Sequence, residues 1–249
     1  MLESASLLAA SAALRVASLD LCADEYLLLL ARPSEIASVS RLAHDPADNV
    51  MWREARRFPA NRRELETVIA TRPTLLLSSS GGGRATSLIA ARLGIRTLTL
   101  AYPASIAEVE ATMIRVATAL GDVRRADGWR RRLARLKANP LPRRDTIFLG
   151  GGGNSLSAGA LGALWMGLGG FRQRTLTGGR ATLETLATKP PQVLLRSTYR
   201  RHQPSLGQRW LDHPLARRSA ARTIETDGRP WTCAGPLMIS EIERLRGLR

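Results

Sequence analysis

The sequence predicts an α/β protein of two Rossmann-like lobes, each built on a parallel sheet, joined by a single long rigid helix. Three observations predict it. The segment Leu65 to Ser80 recurs 118 positions later as Leu183 to Thr198, with Leu65/Leu183, Glu66/Glu184, Thr67/Thr185, Pro73/Pro191, Leu76/Leu194, Leu77/Leu195 and Ser79/Ser197 identical. Each copy reads as helix, proline-marked turn, buried strand and polar loop, and so long a period belongs to a whole lobe rather than to a solenoid. Strand and helix signals alternate on both sides of the middle of the chain, the order that gives a parallel sheet covered on both faces. Between the two halves runs an arginine-rich helix with one apolar stripe, ended by Asn139-Pro140-Leu141-Pro142.

Residues 1–14 read as a leader. They contain an apolar run and an Ala10-Ser11-Ala12 small-x-small site, but Glu3 stands where a cationic n-region belongs. A helical or disordered leader and a signal peptide starting further upstream both fit. The N-terminal lobe spans 15–121. Arg15 to Leu21 reads as strand, Asp24 to Leu30 as helix, and Glu35 to Ser40 as strand, followed by a polar loop containing HDPADN. The first repeat supplies a helix and the strand Thr74 to Ser78, then Ala85 to Leu93 fits a helix stopped by Gly94, and Ile95 to Leu100 a strand. Ser105 caps a helix with Ile106, Val109, Met113, Val116 and Leu120 on one side. Gly121 breaks it, and Asp122 caps the connecting helix, 122–140, expected to be solitary, about 25 Å long and solvated except along Ala126, Trp129, Leu133 and Leu136. The C-terminal lobe, 141–249, runs from the strand Thr146 to Gly150 through a helix at Leu161 to Leu168, the second repeat, a helix at Leu206 to Leu211 and a strand at Arg222 to Thr226. A terminal helix from about Leu237 completes it.

Composition narrows the function. The formal charge is +16, yet of 37 basic residues only Lys137 and Lys189 are lysines, the arginines are scattered, and aromatics make up 4%. Nucleic acid is therefore not the expected partner, since it calls for a clustered cationic face with stacking platforms. No apolar stretch approaches the roughly 20 residues that span a bilayer. His44, His202 and His213 are isolated, so no metal site is expected. Neither a nucleophile elbow nor a carboxylate pair in apolar surroundings is present, so the chain reads as no enzyme and calls for no cofactor. The runs Gly81 to Gly83 and Gly150 to Gly153 lack a Walker lysine and read as loops that let a large ligand approach the backbone. Cys22 and Cys233 fit one disulfide in an oxidising compartment or two free thiols in a reducing one.

Ligands of parallel sheets sit beyond the carboxyl ends of the strands, in a cleft where two lobes face each other. That rule nominates Cys22, Asp24, Arg41, His44, Ser79, Arg84 and Tyr102 in the first lobe, and Asn154, Tyr199, Trp231 and Cys233 in the second.

The stretches RVASLDLCADEYLLLLA, IASVS followed by HDP, LETVIATRPTLLL, LGIRTLTL, the long helix and LETLATKPPQVLL together resemble the periplasmic substrate-binding proteins of ABC importers for cobalamin and ferric siderophores. The resemblance covers Arg15 to Arg249. It implies two lobes on one rigid helix, a shallow cleft that closes only modestly, no catalysis, periplasmic location, and a monomer that docks onto a permease dimer with its ATPase. Matching glutamates in the family dock with permease arginines, which implies that role for Glu66 and Glu184. Where cobalamin binders carry corrin-lining aromatics, this chain has Leu42 and Ser79 in one lobe and Gly151 to Gly153 and Gly178-Gly179 in the other. Trp231 and Tyr199 remain as platforms, and Arg41 and Arg84 as partners for an anionic chelate. The expected ligand is a ferric siderophore or a cobalamin-type corrinoid. Rival readings are a cytoplasmic Rossmann-type nucleotide-binding enzyme and a lobe pair serving only protein interaction.

Overall fold

The computed structural model describes residues 13–79, 84–217 and 221–248. The expected leader, apart from its last two residues, and the run Gly81 to Gly83 lie outside them.

Lobe one comprises β1 (Val16–Ser18), α1 (Leu21–Leu30), β2 (Ile36–Ser40), α2 (Trp52–Ala55), β3 (Ala60–Asn61), α3 (Leu65–Ile69), β4 (Leu75–Ser79), α4 (Arg84–Arg92) and β5 (Arg96–Leu100). Two helices follow, α5 (Ile106–Ala119) and α6 (Asp127–Ala138), separated by a 3-10 turn at Val123–Ala126. Lobe two comprises β6 (Arg144–Leu149), α7 (Leu161–Leu168), β7 (Phe171–Gln173), α8 (Leu183–Thr188), β8 (Val193–Ser197), α9 (Leu206–Leu211), α10 (Pro214–Arg217), β9 (Arg222–Thr226), α11 (Arg229–Cys233) and α12 (Met238–Gly247).

Both sheets are parallel, in the orders β3-β2-β1-β4-β5 and β7-β6-β8-β9. Without β3 the two orders are the same. The repeated segments become α3 and β4 in one lobe and α8 and β8 in the other. Leu77 pairs with Ser18 and its repeat partner Leu195 pairs with Phe148, so β1 and β6 are equivalent strands in equivalent register. β1 and β2 are buried at every position, as helices on both faces of a parallel sheet require. Helix starts are fixed by side-chain acceptors: Ala23 N–H donates to Asp20, Glu108 N–H to Ser105, Thr185 N–H to Thr182 and Gln208 N–H to Ser205.

Two expectations are corrected. β3 lies in what read as loop, because a two-residue strand carries no periodicity. It is held instead by Asn61, fully buried, whose Nδ2 donates to the Ser18 carbonyl (2.8 Å) and Ser38 Oγ (3.0 Å). The connector is also not one solitary helix over 122–140. Asp122 caps the 3-10 turn, accepting from Arg124 N–H, and α6 has 12 residues, about 18 Å. Nor is it alone, since α5 packs on α1 of lobe one and α7 of lobe two. Arg125 donates to Glu35 of lobe one (2.5 and 2.8 Å), and Arg132 to Glu243 of lobe two (2.5 to 3.2 Å). Trp129 of α6 meets Trp165 of α7 edge-on at 6.5 Å, and their indole N–H groups donate to the Pro236 and Ala234 carbonyls. One apolar core thus runs from Val16 through Trp129 to Leu245, joining the lobes.

Candidate functional site: the cleft between the lobes

The C-terminal ends of the two sheets differ in kind. At the end of β1, Asp20 caps α1 and also accepts from Ser79 N–H (2.7 Å) and Ser79 Oγ (2.8 Å), tying β1 to β4. Asp24, fully buried, accepts from Ser18 Oγ, Ser40 N–H (2.9 Å) and Ser40 Oγ (2.5 Å), tying β1 to β2. Burial raises its carboxyl to about 7 against the opposing serine bonds. Glu25 beside it is buried and pushed well above the usual carboxylate range by desolvation, although Leu237 N–H donates to it. Its Oε2 has no hydrogen-bond partner among the described residues and faces Gly235, where a Cβ would come within 2.7 Å. Next to this group a disulfide joins Cys22 of α1 to Cys233 of α11, linking the lobes across 211 positions with their Cα atoms 5.5 Å apart.

The end of the second sheet is open. A cavity of about 380 Å³ is lined by Phe148, Gly150, Leu156, Tyr199, Gln203 and Trp231 among others. A second, of about 450 Å³, lies beyond β8 and β9, lined by Tyr199, Arg201, Asp227 and Arg229 with Pro46 and Ala47 of lobe one. Both volumes fall within the range of about 300 to 1,000 Å³ usual for small-molecule sites. Trp231 packs on Phe148 with ring centroids 4.9 Å apart, and its Nε1 donates to Thr226 Oγ1 (2.8 Å), which donates to Glu241 (2.5 Å). An aromatic platform is therefore fixed in orientation from behind. Asp227 is held below the usual carboxylate range, because the Arg229 bonds outweigh its burial.

The cavities share Tyr199 and Arg200 as a wall. Tyr199 Oη donates to Asp48 of lobe one (2.8 Å), and Arg200 donates to both Asp48 oxygens through Nη2 (2.8 and 3.0 Å) and to one through Nε (3.2 Å). The guanidinium also lies 5.4 Å from the Tyr199 ring centroid. Burial and the bond to Asp48 raise the Tyr199 phenol, with Arg200 opposing.

Of the nominated residues, Tyr199 and Trp231 line these cavities. Asp24 faces inward: the strand-end rule finds the loop, but the first turn of α1 aims this side chain back under the sheet. His44 is also internal, its Nε2 lying 3.0 and 3.1 Å from the Ala55 and Phe58 carbonyls. Cys22 and Cys233 are consumed by the disulfide and, with Ser79 and the largely exposed Tyr102, border a void of only about 20 Å³. Arg41 is exposed at the start of a 3-10 turn, and Asn154 is exposed and bridged to Arg180, lining neither cavity. Arg84 begins α4, and its side chain is not among those described. Of the Gly150 to Gly153 run, Gly150 and Gly151 line the cavity of about 380 Å³. The run also admits α9, since a Cβ on Gly207 would lie 3.2 Å from Gly152 N and one on Gly153 3.0 Å from the Trp210 ring. Glu66 and Glu184 are exposed at the second position of α3 and α8, and neither forms an ion pair among the described residues. The strand-end rule does not reach Asp48, Phe148, Arg200 and Arg229, which the structure adds to the cavity walls and to the contact between the lobes. Asp48 stood in the HDPADN loop, but a contact spanning 152 positions has no local signature.

Among the described residues no group of three or more His, Cys, Asp and Glu side chains is placed to hold a metal ion, and no helix is long and apolar enough to cross a membrane.

No protein-family model matches the chain, and no curated relative matches it in sequence. Solved structures do match it in fold. A periplasmic heme-binding protein from Pseudomonas aeruginosa superposes with a TM-score of 0.66 at 20% identity, over 94% of this chain and 91% of its own. The periplasmic heme-binding protein BhuT, in complex with two hemes, gives 0.69 at 18% identity over 94% and 98%. The periplasmic vitamin B12-binding protein BtuF of Vibrio cholerae gives 0.60 at 16% identity over 94% and 95%. The chain therefore has the two-lobed α/β fold of these periplasmic binding proteins, in keeping with the resemblance its sequence carries to the substrate-binding proteins of ABC importers.

Proposed function

We propose that this chain is the substrate-binding component of an ABC importer, taking a metal tetrapyrrole of the heme or corrinoid class into the interlobe cleft and delivering it to a membrane permease. The observation that carries the reading is the open end of the second sheet. There a fixed aromatic pair, Phe148 and Trp231, adjoins Tyr199 and a guanidinium, which suits a flat, apolar ligand with polar substituents at its rim. The heme- and vitamin B12-binding neighbours support this class over the ferric siderophores. No catalysis is assigned: Asp48, Asp227 and Glu225 at the cavities are each paired with arginine. The interlobe disulfide fits an oxidising compartment and supports a periplasmic location.

Glu66 and Glu184 are the docking points for the two permease subunits. They occupy the same place in the repeated helix, one per lobe, exposed on a chain of net charge +16, where two acidic marks would fix orientation on a basic partner. Native mass spectrometry of protein purified from its own host tests the ligand class. Retention of a metal tetrapyrrole is expected, whereas a retained nucleotide would favour the enzyme reading.

A further inference from the structure

The contact between Asp48 and the Tyr199-Arg200 pair joins the lobes where a ligand would enter. Asp48 is 4% exposed although it sits in a surface loop, and its burial is produced by the opposite lobe. The loop is braced internally. Asp45 Oδ1 accepts from Ala47 N–H (2.8 Å), its carbonyl accepts from Asp48 N–H (3.1 Å) and Asn49 N–H (3.0 Å), and Asn49 Nδ2 donates to the Ala43 carbonyl (3.0 Å). Such a loop can separate from lobe two as a unit, losing the bonds to Tyr199 and Arg200 and those from Arg229 Nη1 to the Pro46 and Asn49 carbonyls. Releasing it would remove Pro46 and Ala47 from one cavity and free the wall between the two.

We propose that this contact is a latch, displaced when a ligand bearing its own carboxylate enters the cleft and takes the place of Asp48 on Arg200. The inference rests on the cleft being the ligand site. Its chemistry follows from which cation the release uncovers. Arg229 keeps Asp227 and Arg201 keeps Glu225, both within lobe two, but the carboxylate partner of Arg200 comes from the other lobe. A ligand carboxylate can replace it with the same two-toothed geometry and no net loss of charge pairing. An uncharged amide rim leaves the Arg200 guanidinium without its counter-ion. The latch therefore selects a tetrapyrrole with carboxylates at its edge, and lowers the affinity of every ligand by the fraction of molecules in which it is closed.

The test titrates wild type, Asp48→Asn and Asp48→Ala with hemin, hemin dimethyl ester and cyanocobalamin, following Soret absorbance and tryptophan fluorescence. Both variants should bind hemin about tenfold more tightly than wild type, the gain that removing a latch closed in about nine molecules in ten provides. Wild type should bind the diacid at least about tenfold more tightly than its ester, a readout that does not depend on the variants folding. Hemin affinity unchanged or weakened in folded variants, or equal affinity of wild type for diacid and ester, would overturn the latch while leaving the cleft as the site. Absence of binding by any of the three probes to wild type and variants alike would overturn the tetrapyrrole reading and the latch with it.

Discussion

The two lobes carry one fold and two chemistries, most plainly at the ends of β1 and β6. In matching register Ser18 corresponds to Phe148, and two residues further Asp20 corresponds to Gly150. Lobe one fills that position with a carboxylate that binds Ser79, and Asp24 holds Ser18 and Ser40, so the end of the sheet is knitted shut. Lobe two has no side chain there, and the space becomes a cavity floored by Phe148 and Trp231. A duplicated scaffold conserves what the sheet needs, the apolar strand and the helix before it. The strand ends remain free to diverge, one toward cohesion and the other toward an open cavity.

The largest expected effect breaks the cohesive side. Replacing both cysteines, Cys22→Ser with Cys233→Ser, should destabilise the protein by about 5 kcal/mol, the chain-entropy value for so long a loop. Denaturant unfolding of oxidised wild type against the double variant measures it, and a loss below about 1 kcal/mol would show that the connector and core alone hold the lobes.

Second is a pH effect confined to lobe one. The Asp24 carboxyl is raised to about 7 from an ordinary 3.8, so between those values the folded protein keeps a proton that the unfolded chain has lost. Its contribution to stability is full below about 4 and is lost as pH rises through about 7, with Glu25 acting in the same direction. Asp24→Asn should flatten this decline in unfolding free energy. A slope equal to that of wild type would mean that Asp24 is ionised throughout.

The matched positions themselves give a third comparison. Asp20→Ala loses a helix cap and two bonds to Ser79, about 2 kcal/mol. Gly150→Ala adds a Cβ 3.3 Å from the Asn154 carbonyl oxygen and should be less than half as destabilising. Equal losses would contradict the asymmetry.

What the sequence made legible follows the same division. Buried parallel strands are largely apolar runs, so β2 and β4 are placed within one residue, whereas the expected end of β1 overruns into α1, and the repeat exposes the duplication before any geometry is known. Side-chain direction was not legible. Asp24 and His44 lie in loops or turns that the strand-end rule selects, but both point inward, to hydroxyls and carbonyls that only the folded chain assembles. The Asp48 clamp joins residues 152 positions apart, a contact that neither composition nor spacing encodes, while the cysteine count of two offers the Cys22–Cys233 bond only as an alternative to free thiols. The Gly150 to Gly153 run serves two ends, Gly150 and Gly151 lining the cavity and Gly151 to Gly153 meeting α9, and glycine permits close approach without saying whether a ligand or a helix approaches.

The smallest effect on stability falls where the lobes are alike. Glu66→Arg and Glu184→Arg change exposed positions and should shift unfolding free energy by no more than about 0.5 kcal/mol. Uptake in cells should nonetheless fall, and charge reversal of the partner arginines should partly restore it. Full uptake by the double variant would return both glutamates to ordinary helix N-terminal electrostatics.

The central claim is that ligand is held by lobe two. Hemin titration of Trp231→Ala beside Tyr102→Ala tests it most directly, since the first removes the aromatic platform of the open sheet end and the second the exposed ring on the closed one. The account predicts at least about a tenfold loss of affinity for Trp231→Ala, the order expected when a stacking contact worth 1 to 3 kcal/mol is removed, and less than about twofold for Tyr102→Ala. Equal losses, or a larger loss for Tyr102→Ala, would contradict it.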